Sequence, residues 1–158
     1  MDNQASVCFT FDAACDAAID MEAQIYRSFL NAIRLVKDRA ANEILIDAAM
    51  LRLDIKHQLE LAALRGGFEG EIAQGPVPTM NLKIRCCDGH QINAKADNRI
   101  ALVYAIELSK DALQFYRNLA DQCSGAPMAQ LFTILGDGQT RHLQSLEDVY
   151  EERFLPEG

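Results

Sequence analysis

Two histidines and two carboxylates stand where their chemistry would be costly to leave unused. Asp54-Ile-Lys-His57 sets a carboxylate and an imidazole one helical turn apart, among Met50, Leu51, Leu61 and Leu64. Glu22 interrupts the apolar stripe Phe11, Cys15, Ala18, Ile19, Ile25, Tyr26, Phe29, Ile33, Val36. At about 100° per residue that stripe is the inward face of a helix, with Glu22 at its middle. A bare carboxylate is too costly to bury, so it must be paired, protonated or bound to a metal. His142 sits centrally on a second stripe, Met128, Leu131, Leu135, Gly138, Leu146, Val149. Glu, Asp-x-x-His and His pointing inward from helices describe a metal site in a bundle core.

Four long amphipathic segments would position these groups. They are expected at residues 10–37, 41–65, 97–122 and 127–154, in a single all-α domain spanning 1–158. Thr10 or Asp12 suits the first N-cap, Gly66-Gly67 the second helix's end, and Pro127 the first turn of the last. Two short connections, at Asp38-Arg39 and Ser124-Gly125, make antiparallel hairpins. Residues 66–96 form a long crossover between them, which lets the middle helices run parallel. Within it the alternation Asn81-Leu-Lys-Ile-Arg85, the turn signal Asp88-Gly89 and the following Gln91-Ile-Asn-Ala suggest a small β-hairpin. The halves echo each other: Ile25-Tyr-Arg-Ser-Phe29 with Gln114-Phe-Tyr-Arg-Asn118, and Asp54–Glu60 with Gln139–Ser145.

Composition bounds the function. The chain has 158 residues, 49% hydrophobic, with no Trp, four Pro and nine Gly, which favours helices. A net charge of −8 and a pI near 4.8 argue against a nucleic-acid surface. Asp2, Asp12 and Asp16 fall where a signal peptide would be apolar, and no apolar run is long enough for a membrane span, so no membrane partner is expected. Five cysteines without framework spacing suggest a cytoplasmic chain with free thiols, Cys15 and Cys123 serving as small core residues. The acidic run Glu147, Asp148, Glu151, Glu152 reads as a solvated face. Tyr26 and Tyr116 read as core tyrosines with satisfied hydroxyls.

The pattern resembles the ferritin-like superfamily, and within it the rubrerythrin-like group without a rubredoxin domain. The resemblance covers nearly the whole chain. It is carried by Met21-Glu22-Ala23 through Phe29, by Asp54-x-x-His57, by Ala105–Ala120 and by Leu143–Tyr150. It implies a four-helix bundle with a long crossover and a centre linked to peroxide or oxygen chemistry. By that resemblance Glu22, His57 and His142 match ligand positions, and Asp54 replaces a bridging Glu. Ser109 and Gln139 stand where the family has two further carboxylates; Glu107 is about 200° from Ser109 and points away. Glu22 and Asp54 with two neutral imidazoles balance one divalent ion (iron, zinc or manganese), with Gln139 completing the set. Redox chemistry there would need an external electron donor, since the family's Cys-x-x-Cys pairs are missing. Cys86-Cys87 and His90 read as loop residues without a ligand role. The alternative reading is a catalytically inert bundle for binding or assembly. A homodimer is expected by resemblance, and Val77, Met80, Leu82 and Ile84 in the crossover need a cover, from the bundle's flank or from a second chain.

Overall fold

The computed structural model describes residues 3–67, 75–82 and 91–155, with side chains from residue 6 onward. These residues form five helices and, among them, no strand: α1 (Asn3–Phe9), α2 (Phe11–Leu35), α3 (Arg39–Arg65), α4 (Asn98–Gln122) and α5 (Ala129–Phe154). The all-α expectation holds, with α1 as an addition. Each long helix but the last starts on a side-chain cap. Thr10 accepts from Ala13 N, Asp38 from Ala41 N and Asp97 from Ile100 N. Gly66 ends α3 in the left-handed region at φ 77°, where a Cβ would be strained.

Side-chain contacts fix the helix directions. Tyr104 Oη donates to the Ser28 carbonyl and its ring meets Phe29 edge-on, while Tyr116 reaches Glu22, so α2 and α4 are antiparallel. Arg52 reaches Ser109, and Ile44 packs in the cluster around Leu102, so α3 and α4 run parallel. Gly136 lies against Tyr116 while Leu143 and Tyr150 join Leu102 and Ile106, so α5 returns antiparallel to α4. Helix α4 is the central one: every residue from Ala101 to Ser109 is buried. Glu107 is therefore buried too, on a different side of α4 from Ser109.

Helix α3 faces the core differently from the expectation. Its buried residues are Ala41, Leu45, Ala49, Arg52, Leu59 and Ala62. Larger apolar side chains point outward, including Ile46, Met50 at 53% exposure and Leu64 at 85%. Alanines allow close approach of the neighbouring helices, so bulk was a poor guide to the inward face. Asp54 and His57 go outward with Met50 and Leu64; both are exposed.

Two further expectations are corrected. Cys8 and Cys123 form a disulfide that ties α1 to the end of α4; Cys15 keeps its thiol, buried and pushed up to about 11 by burial and by Asp12 and Asp16. Glu147 is not part of a solvated face: it is fully buried, and its two oxygens accept from Met80 N at 3.0 Å and Leu82 N at 3.1 Å. Residues 75–82 thus run along α5 as a strap, held also by Arg141 on the Gly75 carbonyl, Thr140 on Val77 N and Lys110 on the Leu82 carbonyl. Leu82 packs with the Leu102 cluster, so the bundle's own flank covers this part of the crossover. The expected hairpin's turn, with Ile84, Cys86, Cys87 and His90, lies outside the described residues. Its described ends, Asn81-Leu82 and Gln91–Ala94, are not strands.

Candidate functional site

A guanidinium occupies the middle of the bundle. Arg52 of α3 is 1% exposed and is the largest fully buried side chain. Its Nη1 donates to Glu22 Oε1 and Oε2 of α2 at 3.2 and 3.1 Å, and to Gln139 Oε1 of α5 at 2.8 Å. Its Nη2 donates to Ser109 Oγ of α4 at 3.1 Å. Tyr116 Oη donates to Glu22 Oε1 at 3.1 Å. All four long helices contribute to one buried polar cluster, and its formal charges cancel.

The electrostatics follow from burial and pairing. Burial pushes the Glu22 carboxyl above its ordinary range, while Arg52 and the Tyr116 hydroxyl pull it back. Burial, and then the neighbouring Glu22 charge, push the Tyr116 phenol well up, so it stays a hydrogen-bond donor. His142 is half-buried, and burial lowers its pKa, helped by Arg52 and Arg141. In this setting the neutral imidazole is favoured.

Of the residues expected to form the site, Glu22 and Gln139 meet, through Arg52. His142 lies within the electrostatic reach of Arg52. Asp54 and His57 are on the opposite side of α3 and take no part in the cluster. Among the described residues, no group of three or more His, Cys, Asp or Glu is placed to hold a metal ion. Ser109 and Gln139 do share one level of the core, as their sequence positions implied. Tyr116 is the core tyrosine with a satisfied hydroxyl; Tyr26 is only half-buried.

Arg52 is the residue the sequence reasoning missed. Its signal was register. The separation of Arg52 from Gln139 is 87 residues, and the same step takes Glu22 to Ser109. Aligning Asp54 with Gln139 had shifted α3 by two residues, about 200° around its axis. In the corrected register His142 corresponds to Ile55, which is partly buried against the core, and not to His57.

Beside the cluster a cavity of about 260 Å³ opens between α3 and α5. Arg52 and Ser109 line it, with walls from Phe29, Leu51, Leu102 and Leu146. No family model, curated protein or solved structure matches the chain.

Proposed function

We propose that this chain is a helical-bundle binding protein of ferritin-like topology whose central position is held by an organic ion pair and not by a metal. The observation that carries the reading is Arg52, set among the inward polar groups of α2, α4 and α5. The expected ligand set does not fit an ion here. Two of its members, Asp54 and His57, face solvent. Glu22 is already bound to a cation, and a second cation beside the guanidinium would have to break that buried pair. Redox or peroxide chemistry then has no support from this centre, and an electron donor is not required.

Two other expectations change within this reading. Disulfides persist in oxidising compartments and are rare in reducing ones, so the Cys8–Cys123 bridge favours an oxidising location over the cytoplasm. No described helix is long and apolar enough to cross a membrane. Self-association, if it occurs through apolar surface, belongs to the α3 face of Ile46, Met50 and Leu53, since the strap's Leu82 is covered within the chain.

The test is metal content with a stability readout. Protein purified without a His tag should carry iron, zinc and manganese well below one ion per chain. Adding each metal should leave the melting temperature unmoved. Saturable uptake near one ion per chain, with a rise in melting temperature that disappears in His142→Ala, would return the centre to the metal class.

A further inference from the structure

We propose that the cavity between α3 and α5 binds a small monocarboxylate with an aliphatic tail of about six to eight carbons, its carboxylate on Arg52 and Ser109. This deepens the binding-protein reading and rests on it.

The head-group argument is a count of donors. A guanidinium carries five N–H groups. The acceptors around Arg52 occupy Nη1, through Glu22 and Gln139, and one hydrogen of Nη2, through Ser109. Nε–H and the second Nη2–H make no hydrogen bond to the described residues. A carboxylate is the acceptor whose two oxygens suit a guanidinium fork. Ser109 Oγ accepts from Nη2, which leaves its own hydrogen for a ligand oxygen. The cavity meets the cluster at these two residues.

The tail argument is shape and lining. From Arg52 and Ser109 the cavity extends toward the start of α3 and the end of α5, past Ile44, Leu102, Leu146 and Val149. Those walls offer no hydrogen bond, so what fills them must be apolar. A volume of about 260 Å³ is room for roughly nine heavy atoms at water's share of about 30 Å³ each. Asp47 and Arg153, both exposed, line the cavity with opposite charges. They add no net charge against an anion.

The experiment is calorimetric titration of the full-length protein with sodium octanoate, sodium acetate, 1-octanol and octylammonium chloride, each paired with a melting curve. Octanoate should bind saturably at one site and raise the melting temperature. Acetate should not bind measurably, and octanol and octylammonium should bind at least tenfold more weakly than octanoate. Leu146→Trp, which fills the cavity from a half-buried position, should abolish octanoate binding while the protein stays folded. Ser109→Ala should weaken it about tenfold. No octanoate binding by folded protein, binding unchanged in Leu146→Trp, or octanol binding as tightly as octanoate would each overturn the proposal. Metal titration of the same preparation separates the two claims: metal uptake overturns the ion-pair centre, whereas octanoate failure without metal uptake overturns only the ligand.

Discussion

Arg52→Met is the perturbation that most directly probes the centre. Met retains much of the side chain's length and apolar bulk but deletes the cation. Glu22 is then left buried with the Tyr116 hydroxyl, at 3.1 Å, as its hydrogen-bond donor. Gln139 and Ser109 lose the donor that each now accepts from. Removing one member of a buried ion pair costs about 3–5 kcal/mol, mostly because the other charge stays desolvated. A domain holds about 5–15 kcal/mol in total, so the variant should lose about a fifth of its stability or more. Urea unfolding at pH 7, followed by two probes, measures this. The double variant Glu22→Leu with Arg52→Met removes both charges and should be more stable than Arg52→Met alone, giving strong non-additivity in the cycle. The pH dependence gives a second check. Without Arg52, the remaining influence of burial raises the Glu22 carboxyl further. A carboxyl raised on folding holds its proton more tightly in the folded state. Its contribution is therefore favourable below the ordinary value of 4.5 and is lost as pH rises through the folded value. The deficit of Arg52→Met against wild type should narrow at pH 4 and widen at pH 7. A cost under about 1 kcal/mol, or single-variant costs that simply add, would refute the central ion pair.

Other residues give independent tests. Glu147→Gln leaves two strap amides facing a neutral side chain that can accept on only one atom, and hydrogen bonds to a charge are worth about 1.5–3 kcal/mol each. We expect a loss of about 2 kcal/mol in urea unfolding, with faster hydrogen exchange at the Met80 and Leu82 amides. The Cys8–Cys123 bridge spans a sequence separation of 115, and closing so long a loop is worth about 4–5 kcal/mol in the chain-entropy picture. Dithiothreitol, or Cys8→Ser, should lower the urea midpoint, and the reductant should have no further effect on Cys8→Ser. His142 has its pKa lowered on folding, so its contribution is present above the ordinary 6.5 and is lost as pH falls through the folded value. His142→Asn should flatten the fall of the urea midpoint between pH 7.5 and pH 5.

Helix ends were legible because single residues specify them. Thr10 and Gly66 each act through one local hydrogen bond or one backbone angle. The inward face of α2 was legible as well, since large apolar residues flank Glu22 on a strong stripe. Helix α3 was not, because its inward face is built on alanines and an arginine while Met50 and Leu64 point out. A stripe drawn from bulky residues on such a helix selects the wrong side, and with it Asp54 and His57. The fate of Glu147 was hidden for another reason. Its partners are backbone amides from a distant strap, and no periodicity in α5 distinguishes a buried acceptor from a solvated charge. Cys8 and Cys123 were likewise joined by tertiary approach, across a separation that sequence spacing does not encode.

The centre itself was encoded in chain length on either side of the two turns. In an antiparallel hairpin, residues equally far from the turn stand at one level. Glu22 and Arg52 are each fifteen residues from Lys37, and Ile25 with Ala49 and Phe29 with Leu45 are matched about the same point. All six are buried. Ser109 and Gln139 are each fifteen residues from Ser124. Both hairpins thus deliver their polar residues at the same distance from their turns, and a shared bundle core brings the four together. That matching selects Arg52 over Asp54 without reference to hydrophobic bulk. It also explains the charge pattern: one half supplies a full ion pair, and the corresponding positions in the other half supply two neutral groups. Ser109 and Gln139 add two neutral acceptors to that pair. Arg52 and Ser109 are also the members of the cluster that line the cavity, which is where a bound carboxylate would meet it.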